Sequence, residues 1–417
     1  MQYEEIAACR LCGGSRLETV LHLGDQSLTG VFPRTLGAEV ISGPLELVRC
    51  IPEGPQACGL LQLRHSYPQV AMYGENYGYR SGLNISMVRH LQDKTRRLLN
   101  LASPSQGSLL VDIGSNDGTL LNSYPGRFRR VGIDPVATKF LRFYDPSIEV
   151  VPDFFTAASW SRNLGADKAA IITSVAMFYA LEHPLEFVEE IAAHLAPEGV
   201  WHFEQSYMPL MLKNMAYDTI CHEHIEYYAL RQIDWALRRC GLKIIALEPS
   251  DVNGGSLAVT AALSSSRYPE AREAIHSLLA QERAQGLEGM APFFEFREKV
   301  FRHRDALRAT LGQLQASRLK VLGYGASTKG NVILQFCGIT SADIPLIGEV
   351  NPDKYGAFTP GTQIPIVSEE EMHKEKPDIL LVLPWHFRQS IIERESVFIQ
   401  RGGRLLFPLP RIEFFPA

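Results

Sequence analysis

The sequence predicts an α/β protein: two Rossmann-like βαβ units behind a small N-terminal module stapled by cysteines. Three observations carry this. Short β-rich runs alternate with helical stretches, stop at a long helical region, and then resume. In each unit one strand runs directly into a glycine-containing loop and a helix. Four of the seven cysteines precede residue 60. At about 100–200 residues per domain, 417 residues suit two to four domains, and the pattern divides them into 1–75, 76–262 and 263–417.

The elements follow in order. Residues 1–70 are loop-rich with short apolar stretches such as Leu60–Leu63. Ile85–Leu101 has apolar residues at helical spacing and a basic opposite face, and SPSQG ends it. The runs LLVDIG, RRVGIDP, AAIITSVAMF and GVWHFEQS then read as parallel strands, with helices near Ala137–Tyr144 and Pro184–Ala196. Tyr268–Ser317, rich in Glu, Arg, Ala and Leu, reads as a helical connector. The rhythm resumes with LKVLGYGASTKG, DIPLIGEVNP, DILLVLPW and GGRLLFPLP.

Composition narrows the partners. Hydrophobic residues at 46% and charged residues at 21% exclude wholesale disorder and collagen. With 41 Lys+Arg against 46 Asp+Glu the formal charge is −5, so nothing draws the chain generally to nucleic acid or anionic lipid. No long apolar run suggests a membrane span, and MQYEEIAACRLC lacks the layout of a signal peptide, so a cytoplasmic monomer or weak homo-oligomer is expected.

Cys9 and Cys12 form a CxxC knuckle, with Cys50 and Cys58 following in a wider pair. Four thiolates suit a closed tetrahedral zinc site of structural type; unrelated buried thiols are the alternative. In LLVDIGSNDGTLL, the strand leads into Gly114, Ser115, Asn116, Asp117 and Gly118, and Asp134-Pro135 ends the next strand, where a carboxylate holds ribose hydroxyls. The loop is not GxGxxG. Asp112 and Asp117 would repel a pyrophosphate and welcome a sulfonium, which points to S-adenosylmethionine, with Asp153, Phe154 and Phe155 as candidate adenine contacts. A strand-to-helix turn without ligand is the alternative.

The segment YDTICHEHIEYY places His222 and His224 at i and i+2, on one face if extended. Acid/base chemistry with Glu223, a second metal, and packed structural histidines remain open. Tyr77 and Tyr79 in MYGENYGYRSG line either a cleft or an interface. In the second unit, Gly325, Ala326, Ser327, Thr328, Lys329 and Gly330 offer backbone N–H groups, hydroxyls and an ammonium to a phosphate, with Glu349 and Lys354 nearby. The loop departs from the P-loop pattern, which argues against ATP hydrolysis. Packing without a ligand is the alternative.

Taken in order, CRLCGG, SLTGVFP, YGYRSGLN, VDIGSNDGTLL, CHEHIEYY, NGGSL, GYGASTKGN and PGTQIPI resemble the zinc-containing, S-adenosylmethionine-dependent sugar 3-C-methyltransferases of deoxysugar pathways, over nearly the whole chain. The resemblance implies a class I methyltransferase domain between a zinc module and a C-terminal α/β domain. It further implies a nucleotide-linked, commonly dTDP-linked, 4-keto-deoxysugar substrate. His224 is then the general base that takes the C3 proton, Glu223 with Tyr77 or Tyr79 orients the substrate, and Asn253 and the GASTKG loop contribute to the nucleotide-sugar site. An oxyanion donor falls to His222 or a junction tyrosine. The chain departs from the pattern in carrying Cys221 where relatives often have Tyr, and SVAMFYALEHP where they have a His. An O- or N-methyltransferase and a non-catalytic binding scaffold are the alternative functions.

Overall fold

A computed structural model describes residues 3–51, 58–73 and 79–417. Tyr77 lies outside the described residues, as does the loop 52–57 between the second pair of cysteines.

The N-terminal region is more regular than its loop-rich sequence suggests. Leu17–Ser27, Ser42–Cys50 and Leu61–Leu63 form an antiparallel sheet, and a distant fourth strand, Glu226–Tyr227, pairs with Leu61–Leu63. Only one face of the first strand is buried, through Val20, Leu21 and Leu23, so its apolar content is low for its length.

Helix Ile85–Ala102 begins at Asn84, whose side chain accepts from the Ser86 N–H at 3.0 Å, and buries Met87, Leu91 and Leu98. It is pinned to the sheet behind it: Glu204 accepts from His90 Nε2 at 2.9 Å and pairs with Lys94. That sheet has seven strands, in the order Glu149–Val151, Arg129–Ile133, Leu109–Ile113, Ala169–Val175, Leu195–Ser206, Ser256–Leu263, Leu242–Ser250. All neighbours are parallel except Ser256–Leu263, which runs against both of its partners. This is the class I methyltransferase sheet. The helical stretch expected near Ala137–Tyr144 is a single short turn, Ala137–Phe140, that tightens into a 3₁₀ turn over Leu141–Phe143.

The connector is two helices, Arg272–Ala284 and Ala291–Ala316. Arg49 from the N-terminal sheet reaches the bend between them and donates to the carbonyls of Leu287, Glu288 and Gly289. The C-terminal sheet orders Ile366–Ser368, Ile347–Glu349, Val321–Tyr324, Ile379–Val382, Arg404–Phe407 and Glu413–Phe415, parallel but for the last strand. Among the described residues no helix is long and apolar enough to cross a membrane.

Candidate active site

The four N-terminal thiols converge. Their sulfurs lie within 4.8 Å of one another, with Cys9 to Cys58 and Cys12 to Cys50 each 3.6 Å apart. Zn–S bonds of about 2.3 Å at tetrahedral angles place sulfurs about 3.8 Å apart, so the cluster is already at zinc spacing. The short CxxC turn is closed by the Cys9 N–H donating to the Gly14 carbonyl at 2.8 Å.

On the central sheet, Gly114–Gly118 curls over the end of Leu109–Ile113. Both glycines have positive φ, and a Cβ on Gly118 would meet the Tyr144 ring at 2.7 Å. Asp134 anchors this loop. Its Oδ2 accepts from the Asn116 N–H at 2.8 Å and its Oδ1 from the Val136 N–H at 2.7 Å, which leaves further lone pairs on each oxygen for hydroxyl donors. The other two carboxylates are less available than their sequence positions suggest. Asp117 accepts from Gly82 N–H and Thr119 and faces Arg80, while burial raises Asp112 to about 7 despite a hydrogen bond from Thr173. The adenine candidates separate: Phe154 is exposed, Asp153 pairs with Arg162 at 3.4 Å, and Phe155 packs edge-on against Trp160 and Phe187.

Cys221–His224 is a turn rather than an extended strand, and the two histidines therefore diverge. His222 is fully buried edge-on against Tyr67 at 4.6 Å, on the N-terminal sheet side. His224 keeps some exposed surface and lies against the Tyr179 ring at 4.0 Å. The expectation that both reach one cleft is corrected accordingly. His224 Nδ1 sits 3.0 Å from the Thr219 carbonyl, which can only accept, so Nδ1 carries the hydrogen and Nε2 holds the free lone pair. Burial first, then the Lys329 ammonium, pushes His224 down to about 3, which keeps it unprotonated at neutral pH. Backbone bonds fix the turn from both sides: Leu63 N–H donates to Ile225 O at 2.8 Å, and Ile225 N–H to Tyr179 O at 3.0 Å.

Glu223 points the other way, toward the TGVFP segment. A Cβ on Gly30 would stand 1.9 Å from Glu223 Oε1, so only glycine lets this carboxyl in. Burial raises it to about 7, opposed by the thiol of Cys221, which donates at 3.8 Å, and by the charge of Lys354. Lys354 lies 4.3 Å over Phe32 and donates to the Ala326 carbonyl at 2.7 Å. Tyr73 lies within electrostatic reach of both Glu223 and Asp134, which links this turn to the first glycine loop.

The anion cradle expected at Gly325–Gly330 is largely satisfied from within. Glu349 Oε2 accepts from Ala326 N–H at 2.7 Å, Ser327 Oγ from Gly330 N–H at 3.0 Å, and Gly325 O from Ser327 N–H at 3.1 Å. Glu349 also puts a negative charge where a phosphate would sit. Lys329 instead reaches the methyltransferase side, donating to the Asn253 carbonyl at 2.9 Å. Tyr79 is half-exposed at the rim, its carbonyl accepting from Asn116 Nδ2 at 3.1 Å.

Three family models cover the chain in succession: "Putative zinc binding domain" over 9–73, "Methyltransferase domain" over 87–247, and "C-methyltransferase C-terminal domain" over 251–410. C-methyltransferase NovU of Streptomyces niveus is 31% identical over 97% of this chain and 96% of its own length. The chain belongs to this C-methyltransferase family. Among solved structures, an S-adenosylmethionine-dependent methyltransferase from Clostridium acetobutylicum is 11% identical over 42% of this chain and 92% of that one, with a TM-score of 0.33. The plantazolicin methyltransferase BpumL is 12% identical over 42% and 82%, with a TM-score of 0.34.

This C-methyltransferase depends on S-adenosylmethionine and carries zinc at its cysteine cluster. The first glycine loop and Asp134 fit the methyl donor, since a sugar with two hydroxyls finds acceptors at the strand end. Sequence reasoning missed Asp218, Trp385 and His386. Trp385 Nε1 donates to the fully buried Asp218 at 2.7 Å, and Lys329 lies within electrostatic reach of both Asp218 and His224. Cys221 and the FYA turn were noted only as departures; their approach to His224 depends on loops from three parts of the chain.

Proposed function

We propose that this enzyme methylates C3, the carbon beside the ketone, of a nucleotide-linked substrate, a dTDP-type 4-keto-deoxysugar. The observation that carries the reading is the placement of His224: a neutral imidazole with its Nε2 lone pair unspent, partly open, against Tyr179 on the turn that follows the strand Ala169–Val175, the same turn whose Met177 faces Gly114 of the first glycine loop. Carbon is a poor nucleophile until a proton beside a carbonyl is removed, so C-methylation calls for a base of this kind. S-adenosylmethionine, when bound, supplies the electrophilic methyl group. His224 takes the proton from carbon, the Thr219 carbonyl holds its tautomer, and Tyr179 fixes its ring. Glu223, drawn toward Lys354 and Gly30, orients sugar hydroxyls, and Asp134 holds the donor's ribose; Tyr73 lies between the two. The packing around the turn excludes water, which protects the carbanion equivalent.

The test uses dTDP-4-keto-6-deoxyglucose in D2O. His224→Ala should retain S-adenosylmethionine binding by calorimetry and lose both methyl transfer and deuterium uptake at C3. Uptake at C5 instead would move the methylated carbon to the other side of the ketone, and uptake that persists in the variant would reassign the base.

A further inference from the structure

Proton removal leaves negative charge on the ketone oxygen, and some group must receive it. His222 is turned away beneath Tyr67, and Tyr179 is a neutral phenol whose ring lies against the base itself. Lys329 is placed differently. It stands on the first turn of the helix Thr328–Phe336, in the C-terminal sheet's layer, yet its Nζ crosses to the Asn253 carbonyl at 2.9 Å. Asn253 adopts a left-handed backbone, φ 55°, and the neighbouring Gly254 lies under Trp385, where a Cβ would meet the indole at 3.1 Å. The same indole ties down Asp218. The ammonium is within electrostatic reach of Asp218 and Cys221 on the turn, of His224, and of His386 on the segment Trp385–Phe387. His386 Nδ1 is buried with no hydrogen-bond partner among the described residues. Three loops and a helix start are thus gathered around one cation.

A cation beside a general base is an obstacle on its own, because it opposes formation of imidazolium. The obstacle becomes an advantage if an anion forms between the two. A neutral ketone whose oxygen points at Lys329 and whose acidic C–H points at His224 meets that condition: charge separates only as the bond breaks, and each new charge faces its complement. Gripping a diphosphate suits Lys329 less well. Asp218 stands within its electrostatic reach, Glu349 occupies the loop, and the Ala326, Ser327 and Gly330 N–H groups there are already used.

We propose that Lys329 is a catalytic residue of the reaction proposed above, its ammonium donating to the ketone oxygen and holding the enolate charge while His224 takes the proton. The inference rests on the keto-sugar reading. The C–H bond breaks, the proton goes to His224 Nε2, its electron pair becomes the carbon–carbon π bond, and the carbonyl π pair moves onto the oxygen facing Lys329. When the carbon takes the methyl group its new bond replaces the methyl–sulfur bond, whose electron pair stays on sulfur as S-adenosylhomocysteine leaves, the carbonyl reforms and the imidazolium releases its proton to solvent.

The test compares wild type, Lys329→Met and Lys329→Arg by deuterium uptake beside the ketone of dTDP-4-keto-6-deoxyglucose, without S-adenosylmethionine, and by steady-state methyl transfer. Loss of one oxyanion donor should lower exchange and kcat by about 10²–10³-fold with little change in KM, and Arg should recover part of the loss. The acid limb of the exchange pH profile should move to higher pH in the Met variant, since the imidazole loses its cationic neighbour, and the deficit in exchange should persist on the plateau above that limb; a lysine that acted only through its charge on His224 would shift the limb and leave the plateau intact. If Lys329→Met fails to bind S-adenosylmethionine, Lys329→Gln, which still donates to Asn253, should show the same loss of exchange. A raised KM with kcat intact would overturn the proposal in favour of a phosphate grip. Wild-type exchange matched by the Met variant would overturn it while leaving the keto-sugar reading in place. No exchange by wild type would overturn that reading, and this proposal with it.

Discussion

Gly30 is the residue on which the approach of the N-terminal module to the turn depends. With Glu223 Oε1 1.9 Å from where a Cβ would be, Gly30→Ala must displace the carboxyl or the loop. Overpacking of this sort costs about 1–3 kcal/mol. We expect lowered stability in urea titration and a larger fall in methyl transfer than in S-adenosylmethionine affinity, because Asp134 and its loop are untouched. Asp134→Asn should behave in the opposite way. The amide cannot accept from both Asn116 and Val136 N–H groups with the same two oxygens. Donor binding should weaken about tenfold or more, roughly 1.4 kcal/mol by calorimetry, from lost hydrogen bonds at a charged acceptor.

At the level of elements, the turn Cys221–His224 links proton binding to stability. Burial pushes His222 down to about 3, against about 6.5 in an unfolded chain. Above pH 6.5 neither state is protonated and the term vanishes. As pH falls from 6.5 toward 3 only the unfolded chain takes up the proton, so stability is lost over that window, by about 2 kcal/mol between 6.5 and 5. His222→Phe, which keeps a ring against Tyr67, should lose correspondingly less stability between pH 7 and pH 5 in denaturant titrations. An equal loss in both proteins would place the acid sensitivity elsewhere.

The same turn marks where sequence reading stops. Its residues were legible as a cluster of titratable groups, but whether His222 and His224 share a face depends on local backbone geometry. The turn is held by Leu63 from one sheet and Tyr179 from another, contacts of long sequence separation that no local pattern encodes. The strands Leu109–Ile113 and Val321–Tyr324 were legible because buried parallel strands are continuous apolar runs, and the CxxC because its spacing reports ligand geometry directly. Leu17–Ser27 was not, since a strand with one wet face carries few apolar residues. Phe155 is a candidate adenine contact by sequence, yet its ring turns into the Trp160 and Phe187 cluster. Asp218, Trp385 and His386 come together only through the docking of loops far apart in sequence.

For the whole molecule, a sheet connects the cysteine cluster to the turn that carries His224. The thiols tie the C-terminal end of Ser42–Cys50 to the CxxC turn and to the segment before Leu61–Leu63, and the latter strand pairs with Glu226–Tyr227, two residues past His224. Chelation of the metal should lower the midpoint of thermal unfolding and abolish methyl transfer, while the central sheet, one face of which packs a separate core with the helix Ile85–Ala102, retains donor binding more fully. Cys12→Ser should do the same without chelator. Equal loss of donor binding and transfer would mean that the three parts unfold together.

The fourth strand of the leading sheet, Glu226–Tyr227, bears on how such enzymes can be recombined. A segment that borrows its edge from the middle of the chain is not a detachable cartridge. A chimera that exchanges residues ahead of the helix Ile85–Ala102 for those of a relative would also exchange the template on which the His224 imidazole is aligned. Successful grafts should therefore transplant the stretch around Tyr217–Tyr228 together with the leading segment, as one cut-and-paste unit in two pieces.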